Sequence, residues 1–209
     1  MGNFTIGKVG PESLTDYLDY FDNRAFTDNP RWQSCYCHFT YADHDAKPWK
    51  ERTLEENRTS VIKLIESGQM RGYLAYSEGV PIAWCNASAR KNIPLARDNQ
   101  PNSEDDTIGA IVCFVVSKPF RGKGIARQLL TRALDDFRSA GFKIAEAYPR
   151  RDATSEAGNH YGPLRLYLSA GFAIHREDQD GGLVVRKTLH GFLNRNPAPY
   201  LFNCVSPSR

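Results

Sequence analysis

The chain has 209 residues, of which 41% are hydrophobic and 24% charged, with a net charge of +3. One domain with a full core fits that length and composition, and so small a charge argues against nucleic-acid or membrane-surface partners. No apolar run reaches the roughly 18 residues of a membrane span, the first ten residues lack a signal-peptide core, and five cysteines without a CxxC pair suit free thiols in a reducing, cytoplasmic setting better than disulfides or zinc.

Residues 4–9 alternate weakly and read as a first strand. Pro11, Glu12 and Ser13 open a helix in which Leu14, Tyr17, Leu18 and Phe21 fall at i, i+3, i+4 and i+7, running to about Asn23. Residues 24–52 are irregular and aromatic, with Trp32, Tyr36, Phe39, Tyr41 and Trp49. Cys35 and Cys37 have only His38 and His44 near them and no second ligand pair, so packing against a sheet is favoured over a metal site. Thr53 caps the next helix, Glu55 and Glu56 occupy its first turn, and Gly68 stops it. Residues 72–77 and 80–87 form two strands around a Ser77-Glu78-Gly79 turn. Residues 90–106, polar and broken by Pro94 and Pro101, read as a surface loop whose Glu104, Asp105 and Asp106 form a solvated edge.

Residues 107–130 carry the strongest signal. Ile111, Val112, Cys113, Phe114, Val115 and Val116 are continuously apolar, as in a strand buried on both faces. A turn with Pro119, Gly122 and Gly124 follows, and then Ala126, Leu129, Leu130, Ala133 and Phe137 fall at helical spacing. A glycine turn opening a helix is an anion site: its leading amides have no helical partner, the dipole adds positive charge, and glycine lets a phosphate approach closely. Arg121, Lys123 and Arg127 add charge. The turn fails the P-loop pattern, because Ile125 and Ala126 follow Gly124, and it lacks the third glycine of a dinucleotide fingerprint. Beyond the helix, residues 142–148 read as a strand, 150–162 as a polar loop, 164–170 as a short helix, and 173–177 with 183–189 as a last hairpin. On the strand 142–148, Phe142, Ile144, Glu146 and Tyr148 share one face. The tail 190–209 holds Pro197, Pro199 and Pro207 and leaves open packing on the domain or on a second chain as a homodimer.

Arg121-Gly122-Lys123-Gly124-Ile125-Ala126 resembles the acetyl-CoA pyrophosphate loop, Q/R-x-x-G-x-G/A, of the GNAT superfamily of CoA-dependent N-acetyltransferases. A second match, Leu166-Tyr167-Leu168-Ser169-Ala170-Gly171-Phe172, stands where the superfamily carries LYxxxGF. The element order β-α-α-β-β-β-α-β-α-β-β fits the same fold over residues 1–189. The resemblance implies an α/β GNAT (acyl-CoA N-acyltransferase) fold, its mixed central sheet flanked by helices and splayed between the fourth and fifth strands. It implies an acetyl-CoA-dependent transfer of acetyl to a primary amine by direct attack. The amides of Arg121, Gly122, Lys123, Gly124, Ile125 and Ala126 would hold pyrophosphate, the edge Phe114, Val115 and Val116 would hold pantetheine, and Tyr167 would be the general acid on the CoA thiolate. Relatives often place a Glu on the fourth strand as base; here Ala110 and Val112 stand there. Glu146 is the best substitute, since a carboxylate on an apolar face is desolvated, and His160 is another candidate. Cys113 reads as a buried inert thiol rather than an acetyl carrier. The residues 24–52 would wall the acceptor pocket, and a small-molecule amine is favoured over a protein. The alternative is a non-catalytic acyl-CoA-binding or regulatory module of the same fold, which the missing strand carboxylate supports.

Overall fold

Strand β4 (Ile108–Val116) is the axis of the sheet, as its unbroken apolar run requires. In the computed structural model, which describes residues 4–97, 103–151 and 159–190, eight of the nine β4 residues are buried. The seven strands lie in the order β1 (Thr5–Val9), β2 (Gly72–Ser77), β3 (Val80–Ala89), β4, β5 (Ile144–Ala147), β7 (Leu183–Thr188) and β6 (Ala173–Glu177). Every neighbouring pair is antiparallel except β4 with β5, which is parallel.

Each face of the sheet carries its own core. On one face, α1 (Leu14–Asn23) sets Tyr17, Tyr20 and Phe21, and α2 (Leu54–Glu66) sets Val61 and Ile65, around fully buried Trp84 of β3. The start of α2 is fixed by a reciprocal cap: Thr53 Oγ1 accepts from the Glu56 amide at 3.2 Å, and Glu56 Oε2 accepts from the Thr53 amide at 2.8 Å. On the other face, α3 (Ile125–Ser139) buries Leu129, Leu130, Ala133 and Phe137, and α4 (Leu164–Ser169) buries Leu166 and Tyr167. Helix α3 approaches β4 so closely at Gly109 that a Cβ there would lie 2.5 Å from the Phe137 ring.

The β4–β5 pair is splayed. Pairing covers only Ile108 to Ile111 against Ile144 to Ala147. On its other side β4 carries an extra residue: Asn86 faces Cys113 and Ala87 faces Ile111, which leaves Val112 as a bulge. Beyond Ile111 the edge of β4 faces residues 159–163, and the Phe114 amide donates to the His160 carbonyl at 2.7 Å.

Two expectations change. The fifth strand is four residues long rather than seven, although single bonds of Lys143 with Thr107 and of Pro149 with Leu183 continue its contacts at either end. The stretch 90–106 is not merely surface. It folds into short 3-10 turns at Arg90–Asn92, Pro94–Arg97 and Asp105–Thr107, and it buries Ile93, Ala96, Arg90 and Asp105. Arg90 can go inside because Asp105 and Glu146 neutralise it, at 3.3 and 3.4 Å. Most of the tail 190–209, together with residues 152–158, lies outside the described residues.

Candidate functional site

The turn between β4 and α3 is built by two left-handed glycines, Gly122 at φ 74° and Gly124 at φ 80°. A Cβ on either would meet nothing within 4 Å, so open space lies against the backbone there. The first amide of α3 to find a partner is that of Gln128, which donates to the Gly124 carbonyl. The amides of Ile125, Ala126 and Arg127 precede it and have no helical carbonyl to reach. The Arg121 side chain is committed elsewhere: its guanidinium donates to the Val116 carbonyl at 2.9 Å and to the Asp28 carboxylate at 2.7 Å. Those bonds hold the Asp28 carboxyl below the usual range and pin the turn to residue 28. Lys123 lies over the Phe120 ring, and Arg127 donates to Ser169 Oγ at 2.9 Å. A cavity of about 500 Å³ opens beside this turn, walled by Gly122, Gly124, Ile125, Ala126, Arg127 and Arg165 among others.

A second cavity of about 520 Å³ shares Val116, Arg121, Ala126 and Pro163 with the first. The edge of β4 from Val112 to Val116 forms one wall, and Phe26, Trp32, Phe39 and Trp49 form much of the other. The aromatic stretch singled out in the sequence therefore does line this cavity. Its shape is imposed from below: the Tyr17 hydroxyl donates to the Tyr36 carbonyl at 2.6 Å, and the Tyr41 hydroxyl to Asn86 Oδ1 at 3.0 Å. His38 Nδ1 meets Asn57 Oδ1 at 2.8 Å, which gives this histidine a structural partner. Among the described residues, no Asp or Glu lines either cavity, and no group of three His, Cys, Asp or Glu could hold a metal.

Tyr167 is fully buried, with its ring against Phe114 of β4 and Phe172. Its hydroxyl donates to the Tyr161 carbonyl, and burial pushes its phenol well above the ordinary value. It therefore stands behind the β4 edge as a protonated donor. His160, the other histidine considered, lines the second cavity. Glu146 lines neither cavity. It lies opposite Arg186 in the β5–β7 ladder, bonded to its Nε at 2.6 Å and to the Tyr148 hydroxyl, with Arg90 at 3.4 Å. The sequence set Glu146 on an apolar face; the strand pairing sets a cation across from it. Two features were missed at the sequence level. Asp28 clamps Arg121 across 93 positions of chain, and Asn86 and Cys37 meet at the floor of the second cavity. Neither pairing has a local signal, because both join segments distant in the chain.

The model of the acetyltransferase (GNAT) family matches residues 28–172. No curated protein matches the chain. Among solved structures, a GNAT-family acetyltransferase from Streptococcus pneumoniae is 17% identical, with TM-score 0.56 over 90% of this chain and 100% of that one. The GNAT domain of Streptomyces lividans PAT is 14% identical, with TM-score 0.58 over 90% and 92%. The yncA protein of Salmonella typhimurium, solved with its cofactor acetyl-CoA, is 14% identical, with TM-score 0.52 over 90% and 94%. At such identities these likenesses speak for the fold, while the family match spans the glycine turn, the splayed strands and Tyr167 together. The chain belongs to the acetyltransferase (GNAT) family.

Proposed function

We propose that the protein transfers acetyl from acetyl-CoA to a small primary amine. The observation that carries this reading is the pair of cavities with common walls, running from the glycine turn past the β4 edge beyond Ile111 to the aromatic wall. The residues suit such a donor. The open backbone at Gly122 and Gly124, with the leading amides of α3, suits a cradle for pyrophosphate, and Phe114, Val115 and Val116 line the cavity along which an extended chain would lie. The Phe114 amide, which donates to the His160 carbonyl here, would polarise a thioester carbonyl once that bond is exchanged for the donor, the role of an oxyanion donor. Tyr167, behind it, supplies the proton for the leaving thiolate. An acceptor held against Phe26, Trp32, Phe39 and Trp49, with no carboxylate among the described wall residues, is an apolar or aromatic amine rather than a polycation. The proton of its ammonium leaves to cavity water, since Glu146 is occupied by arginines.

Thiol release from acetyl-CoA across aromatic amines, amino acids, peptides, polyamines and aminoglycosides tests this. Turnover confined to apolar and aromatic amines is the expected result; a preference for polycations would refute the acceptor assignment. The absence of a carboxylate on the described cavity walls also favours a second reading, a module that binds acyl-CoA without turnover. Binding of acetyl-CoA with silence across the whole panel would establish that one instead.

A further inference from the structure

The chain has five cysteines, and three of them, Cys35, Cys37 and Cys113, line the second cavity. Cys37 is held unusually. Tyr36 and Cys37 have φ of 44° and 53°, a left-handed conformation that side chains other than glycine rarely adopt. Such backbone persists only where its surroundings impose it, and here the Tyr17 hydroxyl does so through the Tyr36 carbonyl. The turn aims Cys37 Sγ at β3 and β4. Asn86 Nδ2 donates to it at 3.3 Å, and it packs in one buried cluster with Cys113 and Trp84. Trp84 Nε1, on a fully buried side chain, has no hydrogen-bond partner among the described residues. The strand register brings the same groups together, since Asn86 is the β3 partner of Cys113.

A sulfur that accepts the Asn86 amide next to a second thiol sits in surroundings that suit a thiolate. Burial opposes its ionisation, while the polar groups around it, the Cys113 thiol and the Asn86 amide among them, hold the Cys37 thiol below its ordinary value. Cys113 moves the other way, raised by its bond to Cys37 and then by burial. One activated thiol against one protonated thiol is the arrangement of an attacking and a resolving cysteine. Cys35 is pushed up to about 12 by burial, and buried Cys85 lines neither cavity.

We propose that Cys37 and Cys113 are a modification site on the cavity floor, which a peroxide converts to a disulfide. The Cys37 thiolate attacks one oxygen of hydrogen peroxide, the O–O bond breaks, and the departing hydroxide takes a proton to become water. Cys113 sulfur then attacks the Cys37 sulfenic acid, and the sulfenic oxygen leaves with the Cys113 proton as a second water. Two thiols are oxidised and one peroxide is reduced to two waters. The new bond ties the segment that carries the aromatic wall to β4. The proposal does not depend on the acetyl-transfer reading, and neither does its test.

The test uses the full reduced chain, treated with a small excess of hydrogen peroxide, quenched and mapped as non-reduced peptides. The expected product joins the Cys37 and Cys113 peptides. The thiols titrated in denaturant fall by two from the five of the sequence and return with dithiothreitol. An unchanged thiol count, a Cys35–Cys37 link or a link between chains would overturn the proposal. In Cys113→Ser, dimedone should trap a sulfenic acid on Cys37; in Cys37→Ser, Cys113 should stay a free thiol under the same dose. Oxidation of Cys113 in Cys37→Ser would overturn the assignment of Cys37 as the attacking thiol. Should either variant fail to fold, the wild-type peptide map decides the matter without it.

Discussion

At the scale of single residues, Tyr167 and Glu146 illustrate how surroundings divide polar groups between chemistry and structure. The Tyr167 phenol stays protonated because burial disfavours its anion, which excludes it as a base and makes it a weaker acid than an exposed tyrosine. Tyr167→Phe should lower turnover by roughly 10²–10⁴ and leave acetyl-CoA affinity nearly unchanged, as steady-state kinetics and calorimetry would show; wild-type turnover would remove Tyr167 from the reaction. Glu146 is buried between the Arg186 and Arg90 guanidiniums. Glu146→Gln removes the carboxylate between those two charges, leaving Arg90 with Asp105 and Arg186 with Glu104, and should cost about 1.5–3 kcal/mol in chemical denaturation. Its pH–rate profile, measured well below the melting temperature, should keep its shape. A lost acidic limb in that profile would return Glu146 to the role of base. Asp28 gives the pH dependence a definite sign. Its carboxyl is lowered in the folded state by Arg121, so its contribution to stability is complete above the ordinary carboxylate value of about 4 and is lost as pH falls below it. Asp28→Asn should flatten the acid side of the stability curve, which urea melts between roughly pH 5 and 2 would read.

At the scale of elements, the segment 159–162 governs access to the β4 edge. Its His160 carbonyl takes the Phe114 amide, and its Tyr161 carbonyl takes the Tyr167 hydroxyl. The two groups assigned to the thioester, one amide and one phenol, are thus both engaged by consecutive residues of one loop. Binding of acetyl-CoA should release both bonds together. Hydrogen exchange should then show faster exchange at the Gly162 amide, now bonded to the Asn159 carbonyl, and no loss of protection at Phe114, whose partner changes from protein to ligand. Unchanged exchange across 159–162 in the saturated complex would show that the donor does not enter by this edge. The packing of α3 on β4 is a second matter at this scale. Gly109→Ala would put a methyl 2.5 Å from the Phe137 ring and should destabilise the fold by about 1–3 kcal/mol, while leaving the glycine turn at the far end of β4 intact.

At the scale of the whole molecule, the two cavities meet at the splay, and the one beside the glycine turn is assembled from β4, α3 and α4 together. Acetyl-CoA at about 100 times its Kd should therefore stabilise the fold by about 2.7 kcal/mol, a rise in Tm of roughly 5–11 °C; no shift at saturating concentration would defeat both functional readings. The elements themselves were written in local sequence. The period of Leu14, Tyr17 and Phe21, the Thr53–Glu56 cap and the strand-turn-helix unit around Gly122 and Gly124 each depend on residues within a few positions of one another. So the fold class, the family and the glycine turn that opens α3 were legible without coordinates. The partners of Glu146, Arg121, Phe114 and Cys37 lie 40, 93, 46 and 49 positions away. Whether Glu146 was a base or half of an ion pair, and whether the aromatic stretch was core or cavity wall, depended on which distant segments the sheet register brings together. Hydrophobic periodicity and turn chemistry act over a few residues and fix elements; the protonation, pairing and accessibility of a side chain are properties of its three-dimensional neighbours, which only the assembled sheet supplies.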